Sequence, residues 1–196
     1  VEQQHMLDDK RRARFVESCD GDEKQADKRY HEYIELPRPG LNTTSIVTRL
    51  DDDEEGRPVI DFHVHAFLKH SDTLNMHLSM MFEIEKMIEE ATNPEKGHIF
   101  VWSVEGMSVT LFWRRFRVWC NMFSINERLF PGLLHQIVIT NANFRTKTVI
   151  DFVRSHILDK ETASKVVVTH AKSRESPLLT VKNSRVPVAQ NSTTCS

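Results

Sequence analysis

The sequence predicts an α/β fold: a mixed, largely parallel sheet covered by helices, with a short N-terminal helical region. Three observations carry this. From Pro58 onward, short apolar runs alternate with helix-period segments in the order strand, helix, strand, helix, strand, helix, strand. That order places successive strands parallel, with the helices as crossovers. His98–Val104 and Gln136–Thr140 are apolar on both faces, as strands covered on two sides must be. The first 36 residues are instead densely charged, with a sparse apolar stripe at helical spacing.

Taken in order, residues 5–36 carry Met6, Phe15, Val16, Ala26, Tyr30, Tyr33 and Ile34 as that stripe, broken near Gly21. Asp20-Gly21-Asp22 is a turn that also caps the second helix. "LPRPG", Leu36–Gly40, ends it, and residues 37–55 read as a polar linker with a turn at Gly56. In "PVIDFHVHAF", Pro58–Phe67, Ile60, Phe62, Val64 and Ala66 are expected on one strand face, with Asp61, His63 and His65 on the other. A helix is expected from Asp72, with Leu74, Leu78, Met81, Ile84 and Ile88 on one side. Ser108–Phe123 reads as one amphipathic helix, Lys147–Ile157 as the next, and Lys165–His170 as a fourth strand. After Ala171 the chain is polar and weakly patterned. The expected organisation is an N-terminal helical region at 1–36, a linker at 37–55, one α/β domain at 56–192 and a tail at 193–196.

Composition narrows the function classes. The net charge of −2 gives no push toward nucleic acid, and Trp113–Arg117 ("WRRFR") reads as a solvated basic face. Cys19, Cys120 and Cys195 are too few and too scattered for a disulfide framework or a CxxC zinc site. No leader pattern and no apolar run of ~20 residues is present, so the expected location is cytoplasmic, peripheral at membranes. The chain opens at Val1 without Met, as a piece of a longer protein would.

His63 and His65 pose the sharpest chemical question, because an H-x-H pair on a strand can chelate a metal. The hydrolases that begin a metal site this way are barrels of ~250 residues. Here the later strand ends offer only Glu105, Asn141 and His170, so no metal and no catalytic residue is assigned. The chain also lacks a G-x-S-x-G elbow, a P-loop and a G-x-G-x-x-G stretch.

Several local motifs point elsewhere. "ARFVESCDGDEKQADKRYHEYIEL", Ala13–Leu36, is followed by "GRPV" at Gly56–Val59 and "VEGMS" at Val104–Ser108. Then come "FPGLLHQIVITNA" at Phe130–Ala142, "LDKETASKVVV" at Leu158–Val168 and "VPVAQNS" at Val186–Ser192. In this order and spacing they resemble the CRAL-TRIO family of lipid-binding and lipid-transfer proteins, over most of the chain.

The resemblance implies one lipid in an apolar pocket, closed by a gating helix at Phe144–Ile157 with Val149, Ile150, Phe152, Val153 and Ile157 as its apolar band. It implies that Thr162 and Lys165 contact the headgroup of a phospholipid, phosphatidylinositol among the candidates. Met80, Met81, Phe82, Phe100, Trp102 and Val138 are the expected pocket lining. The chain departs from the family at Gly132, where a Glu usually stands, and at Ser103, where an acid usually stands. It departs again around Glu17-Ser18-Cys19, where basic residues are absent, and at Asn191-Ser192 in place of a closing Gly-Gly.

The function expected first is non-enzymatic binding and inter-membrane transfer of a phospholipid or other hydrophobic ligand. It comes with transient membrane contact, no nucleic acid, and no cofactor beyond the lipid. The second is a degenerate interaction module for a small GTPase, another protein partner or a membrane surface, which the missing family residues favour. A metal-dependent hydrolase using His63 and His65 is the third.

Overall fold

The computed structural model describes residues 2–70 and 73–169. Two helices open the chain, α1 (Glu2–Ser18) and α2 (Glu23–Ile34). Asp20 and Gly21 take positive φ between them, and the Asp22 carboxylate caps α2 by accepting the Gln25 N–H at 3.0 Å. Phe15, Ala26 and Tyr33 are buried as the stripe requires, whereas Ile34 is half exposed at the helix end.

A five-stranded sheet follows, in the order β1 (Val47–Arg49), β2 (Val59–His63), β3 (His98–Ser103), β4 (Leu134–Thr140), β5 (Val166–Val168). β1 runs antiparallel to β2, and β2 through β5 are parallel. The fold class is therefore the mixed, largely parallel α/β sheet the alternation predicts. Helices α3 (Val64–Leu68), α4 (Thr73–Glu89), α5 (Val109–Arg114), α6 (Phe116–Leu129), α7 (Phe144–His156) and α8 (Lys160–Ser164), with a short 3-10 turn at Pro94–Lys96, complete the described elements.

Strand alternation divides the sheet faces. Ile60, Phe62, Phe100, Ile137 and Ile139 join the main core with the helices, while Val59, Ile99, Val101 and Val138 form a smaller cluster. At the entrance to β3, Gly97 is required: its φ is +70°, and a Cβ there would lie 2.8 Å from the Leu133 carbonyl oxygen. That closeness lets both the His98 amide (2.8 Å) and its Nδ1–H (2.5 Å) donate to the same carbonyl.

Four expectations change. Residues 37–55 are not simply a linker: they contribute β1, and Ile46 and Val47 are buried. Three residues are too few to show a period of two. β2 stops at His63, because Val64, Phe67 and Leu68 bury at i, i+3, i+4 spacing and turn the chain into α3. Ala66 and His65 therefore do not extend the strand. On α4, Leu78, Met81, Ile84 and Ile88 are buried, but Leu74 is 54% exposed in the first turn. The single helix expected over Ser108–Phe123 is two helices, broken at Arg115 (φ −101°, ψ 13°). No glycine or proline marks the break, at which Trp113 and Phe116 close on Phe152 of α7 with ring centroids 5.1 and 6.0 Å away.

Candidate functional site

An apolar cavity lies between the sheet and α7. Trp102, Ile137, Ile139 and Val166 come from the sheet, Val149, Ile150 and Val153 from α7, and Phe112, Trp119 and Phe123 from α5 and α6. About 490 Å³ of space separates these atoms, part of it open to solvent. The enclosed cavity itself measures only about 40 Å³, well below the ~300–1,000 Å³ of ligand pockets, so α7 lies closed on the sheet and a ligand has to displace it. Arg154, on α7, is the charged residue of the lining; its Nε–H donates to the Ala163 carbonyl at 3.1 Å.

α7 is built to cover this space. Asn143 caps it by accepting the Thr146 N–H at 3.0 Å, and Thr146, Val149, Ile150 and Val153 are its buried side. Phe152 packs outward from the cavity, against Trp113, Phe116 and the His156 ring. Ile157 caps the C-terminus and is half-buried. Phe144 at the start of α7 is 87% exposed.

The residues expected to line a pocket are scattered. Trp102 lines the cavity; Met80, Met81, Phe82, Phe100 and Val138 do not. Met80 and Met81 are buried in the main core. Phe82 lies under the Arg38 guanidinium, 4.4 Å from the ring centroid, and against Phe130. Phe100 stacks on Phe62 at 5.2 Å, and Val138 belongs to the cluster with Val59, Ile99 and Val101. Helix periodicity finds buried positions but does not say which of them border empty space. Phe112, Trp119 and Phe123 were legible as an amphipathic face, yet nothing in sequence ties that face to β3 and β4.

Thr162 and Lys165 stand one turn apart at α8 and its C-cap, outside the cavity lining. The Thr162 amide donates to the Asp159 carboxylate at 2.9 Å. Burial raises the Asp159 pKa, but hydrogen bonds from the Thr162 hydroxyl and amide outweigh it and hold the carboxyl below its usual range. The Lys165 ammonium donates to Glu161 Oε1 at 2.7 Å and to the Leu134 carbonyl at 3.2 Å. Gly132 takes φ +70°, a conformation in which a Glu would be strained, and packs beside Arg14.

His63 and His65 do not form a metal pair. His63 ends β2, exposed, with Nε2 3.5 Å from Asp61 Oδ2, and His65 has passed into α3 beside Gly106. Burial raises the Asp61 pKa, with His63 opposing. Among the described residues, no group of three or more His, Cys, Asp or Glu is placed to hold a metal. His170 and the Val186–Ser192 motif lie outside the described residues.

A sheet floor, a helical cover and an apolar space between them define a class that comparison with known proteins names. The family model described as CRAL/TRIO domain matches residues 42–188, well over half the chain, and the chain belongs to that family of lipid-binding domains. The match begins just ahead of β1. Among solved structures, the "Crystal structure of Sfh5" is similar, with a TM-score of 0.62 and 14% sequence identity. The alignment covers 80% of this chain and 62% of that one, so this chain spans less than two thirds of that protein's length, and the likeness is one of fold. No curated protein matches the chain in sequence. Among the described residues, no helix is long and apolar enough to cross a membrane.

Proposed function

We propose that this domain binds one lipid non-enzymatically in the cavity beneath α7, and that α7 moves aside to admit it and hands it between membranes. The observation that carries the reading is the cavity's lining: apolar and aromatic side chains with Arg154 as the one charged residue, closed on one side by a single helix. Lifting α7 exposes Val149, Ile150 and Val153, at a cost of roughly 1.5–3 kcal/mol for each fully exposed side chain. An acyl chain meeting the same side chains offsets that cost.

The mouth suits a membrane. Trp113 is 45% exposed and Phe144 87%, and the exposed Arg114, Arg117, Arg145 and Lys147 accompany them. Basic and aromatic groups together favour an anionic lipid surface.

Thr162 and Lys165 serve in this proposal as phosphate contacts, with phosphatidylinositol as a candidate. Two observations support a headgroup site altered from the family pattern: Gly132 in a left-handed turn, and Arg14 committed to Glu85 at 2.6 Å. The same two favour, as a second reading, an interaction module that no longer carries lipid. Native mass spectrometry of the purified protein decides between them. A copurifying lipid, with slower hydrogen exchange in α7 after lipid uptake, supports carriage. A lipid-free spectrum, with no uptake from liposomes, overturns it.

A further inference from the structure

The break at Arg115 divides helices that belong to different parts of the molecule. Beyond it, α6 packs on α2 and α4, and Arg128 near its end pairs with Glu32 of α2. Before it, α5 is six residues long and packs on α7. Both ends of α5 can bend. Gly106, at φ +68°, stands two residues ahead of the Ser108 cap. At the other end, Arg115 leaves helical geometry, yet its amide still donates to the Leu111 and Phe112 carbonyls at 3.1 and 3.0 Å. The chain turns there without giving up its hydrogen bonds. Residues at the ends of elements absorb the dihedral change of a hinge in this way.

Aromatic rings join α5 to α7 outside the cavity. Phe152 is not part of the lining. Its ring lies 5.1 Å from Trp113 of α5, inclined at 64°, and 6.0 Å from Phe116, the first residue of α6. Trp113 is 45% exposed, too open to serve as core. Both helices border the cavity, α5 through Phe112 and α7 through Val149, Ile150 and Val153. Only about 40 Å³ is enclosed, so a ligand has to widen the space. Lifting α7 alone strips Phe152 from both rings and leaves Phe112 in place. Turning α5 with it about Arg115 keeps the Trp113 contact and withdraws Phe112 as well. Trp113 and Phe116, 5.4 Å apart across the break, are three residues apart in the chain and stay neighbours through a small bend. Phe112 and Trp119, 5.7 Å apart, both line the cavity, so a ligand between them replaces the contact they lose.

From this we infer that α5 and α7 open as one cover, hinged at Arg115 and coupled by the ring of Phe152 on Trp113. The inference rests on the lipid-binding reading and deepens it, by making the moving part larger than α7. Phe152 and Trp113 are then positioning residues: they touch no ligand and set how far the cavity opens.

Spin labels on the intact chain test it. One pair joins Thr110 of α5 to Ser124 of α6, the other Thr148 of α7 to Ser124, and all three positions are exposed. Cys120→Ser and Cys195→Ser remove competing thiols, and Cys19 is buried. Distances are read by double electron–electron resonance, with and without vesicles of phosphatidylcholine and phosphatidylserine. Both pairs should gain a longer distance with vesicles. In Trp113→Ala the α7 pair should still lengthen and the α5 pair should not. Lengthening of the α7 pair alone in the parent overturns the inference and leaves lipid binding standing. Lengthening of neither pair, while native mass spectrometry shows lipid uptake, overturns it as well. No lengthening and no uptake overturns both readings. The parent's distances decide the question even where a variant fails to fold. Transfer rates give a second reading. Phe152→Ala frees α7 from α5 and Phe116, so it should speed transfer of a fluorescent phosphatidylcholine between vesicles about tenfold, with the amount bound unchanged. Phe152→Tyr keeps the ring and should transfer at the parent's rate. A Phe152→Ala variant that binds less lipid and transfers it no faster has lost structure rather than coupling, and overturns the role of Phe152.

Discussion

Two helical layers pack on the same core, and they are held in opposite ways. On one side α1 and α2 are tied to α4 by directional contacts around Glu85. Its Oε1 accepts from Arg14 at 2.6 Å, its Oε2 accepts from the Tyr33 hydroxyl at 2.5 Å, and Arg11 stands 3.7 Å away. Arg11 also donates to Glu89 at 2.6 Å. Burial, and then the Glu85 charge, push the Tyr33 pKa well up, so the phenol stays a donor. On the other side α7 meets the sheet through Val149, Ile150 and Val153, across a space that is partly empty. Buried charges tolerate few arrangements, because each displaced partner leaves an uncompensated charge. Apolar contacts have no direction and can be exchanged for a lipid's. The first layer is thus a clamp, and the second is suited to be a cover.

The largest effect should come from breaking the clamp. Glu85→Ala strands Arg14, Tyr33 and part of Arg11, and should cost about 3–5 kcal/mol in urea unfolding. That is a large share of a domain's stability of ~5–15 kcal/mol. Val153→Ala, which trims the cover, should cost ~0.5–1.5 kcal/mol, since the site already borders open space. Equal costs would erase the distinction between the layers.

Acid should loosen the core between the two layers next. His77 on α4 and His98 on β3 are both buried, and burial lowers each pKa to about 4, opposed weakly by Asn126 at His77 and by the Leu133 carbonyl at His98. Their unfolded value is about 6.5. The folded state therefore holds fewer protons than the unfolded state between these values. The stability each neutral ring contributes is fully present above about pH 6.5 and is lost as pH falls toward 4. Unfolding midpoints in urea should drop across that window, and His77→Phe should flatten part of the slope. An unchanged slope would remove His77 from the account.

The contrast between layers also explains what was legible in the sequence. The strand runs and the amphipathic faces are local periodicities, so the sheet from β2 to β5 and helices α2, α4 and α7 could be read. β1 is three residues long, and the Arg115 break has no glycine or proline, so neither leaves a local signal. The clamp joins residues 52 to 78 positions apart, which no period reports. The cavity depends on which buried faces fail to meet. Hence two apolar strand residues expected together in the lining part company: Trp102 borders the cavity, and Val138 packs in the cluster with Val59, Ile99 and Val101. Thr162 and Lys165 rest on the resemblance alone, because nothing in spacing or polarity singles them out.

Lys165 falls between the two regimes and gives the smallest, most selective prediction. Its ion pair with Glu161 is an i, i+4 contact to a side chain that is 79% exposed. Such pairs contribute about 0–1 kcal/mol, unlike the buried contacts of Glu85. A phosphate carries more charge and several acceptors, so it can take the ammonium from Glu161. Lys165→Ala should then leave unfolding within ~0.5 kcal/mol of the parent, while lowering pickup of phosphatidylinositol from liposomes about tenfold relative to phosphatidylcholine. Glu161→Gln should act in the opposite direction, freeing the ammonium. If Lys165→Ala lowers both lipids equally, its contact with the Leu134 carbonyl is holding β5 to β4 and the headgroup role is lost. A tenfold preference abolished without a change in stability would place Lys165 with the exchangeable side of the molecule, where a contact is made to be given up to the ligand.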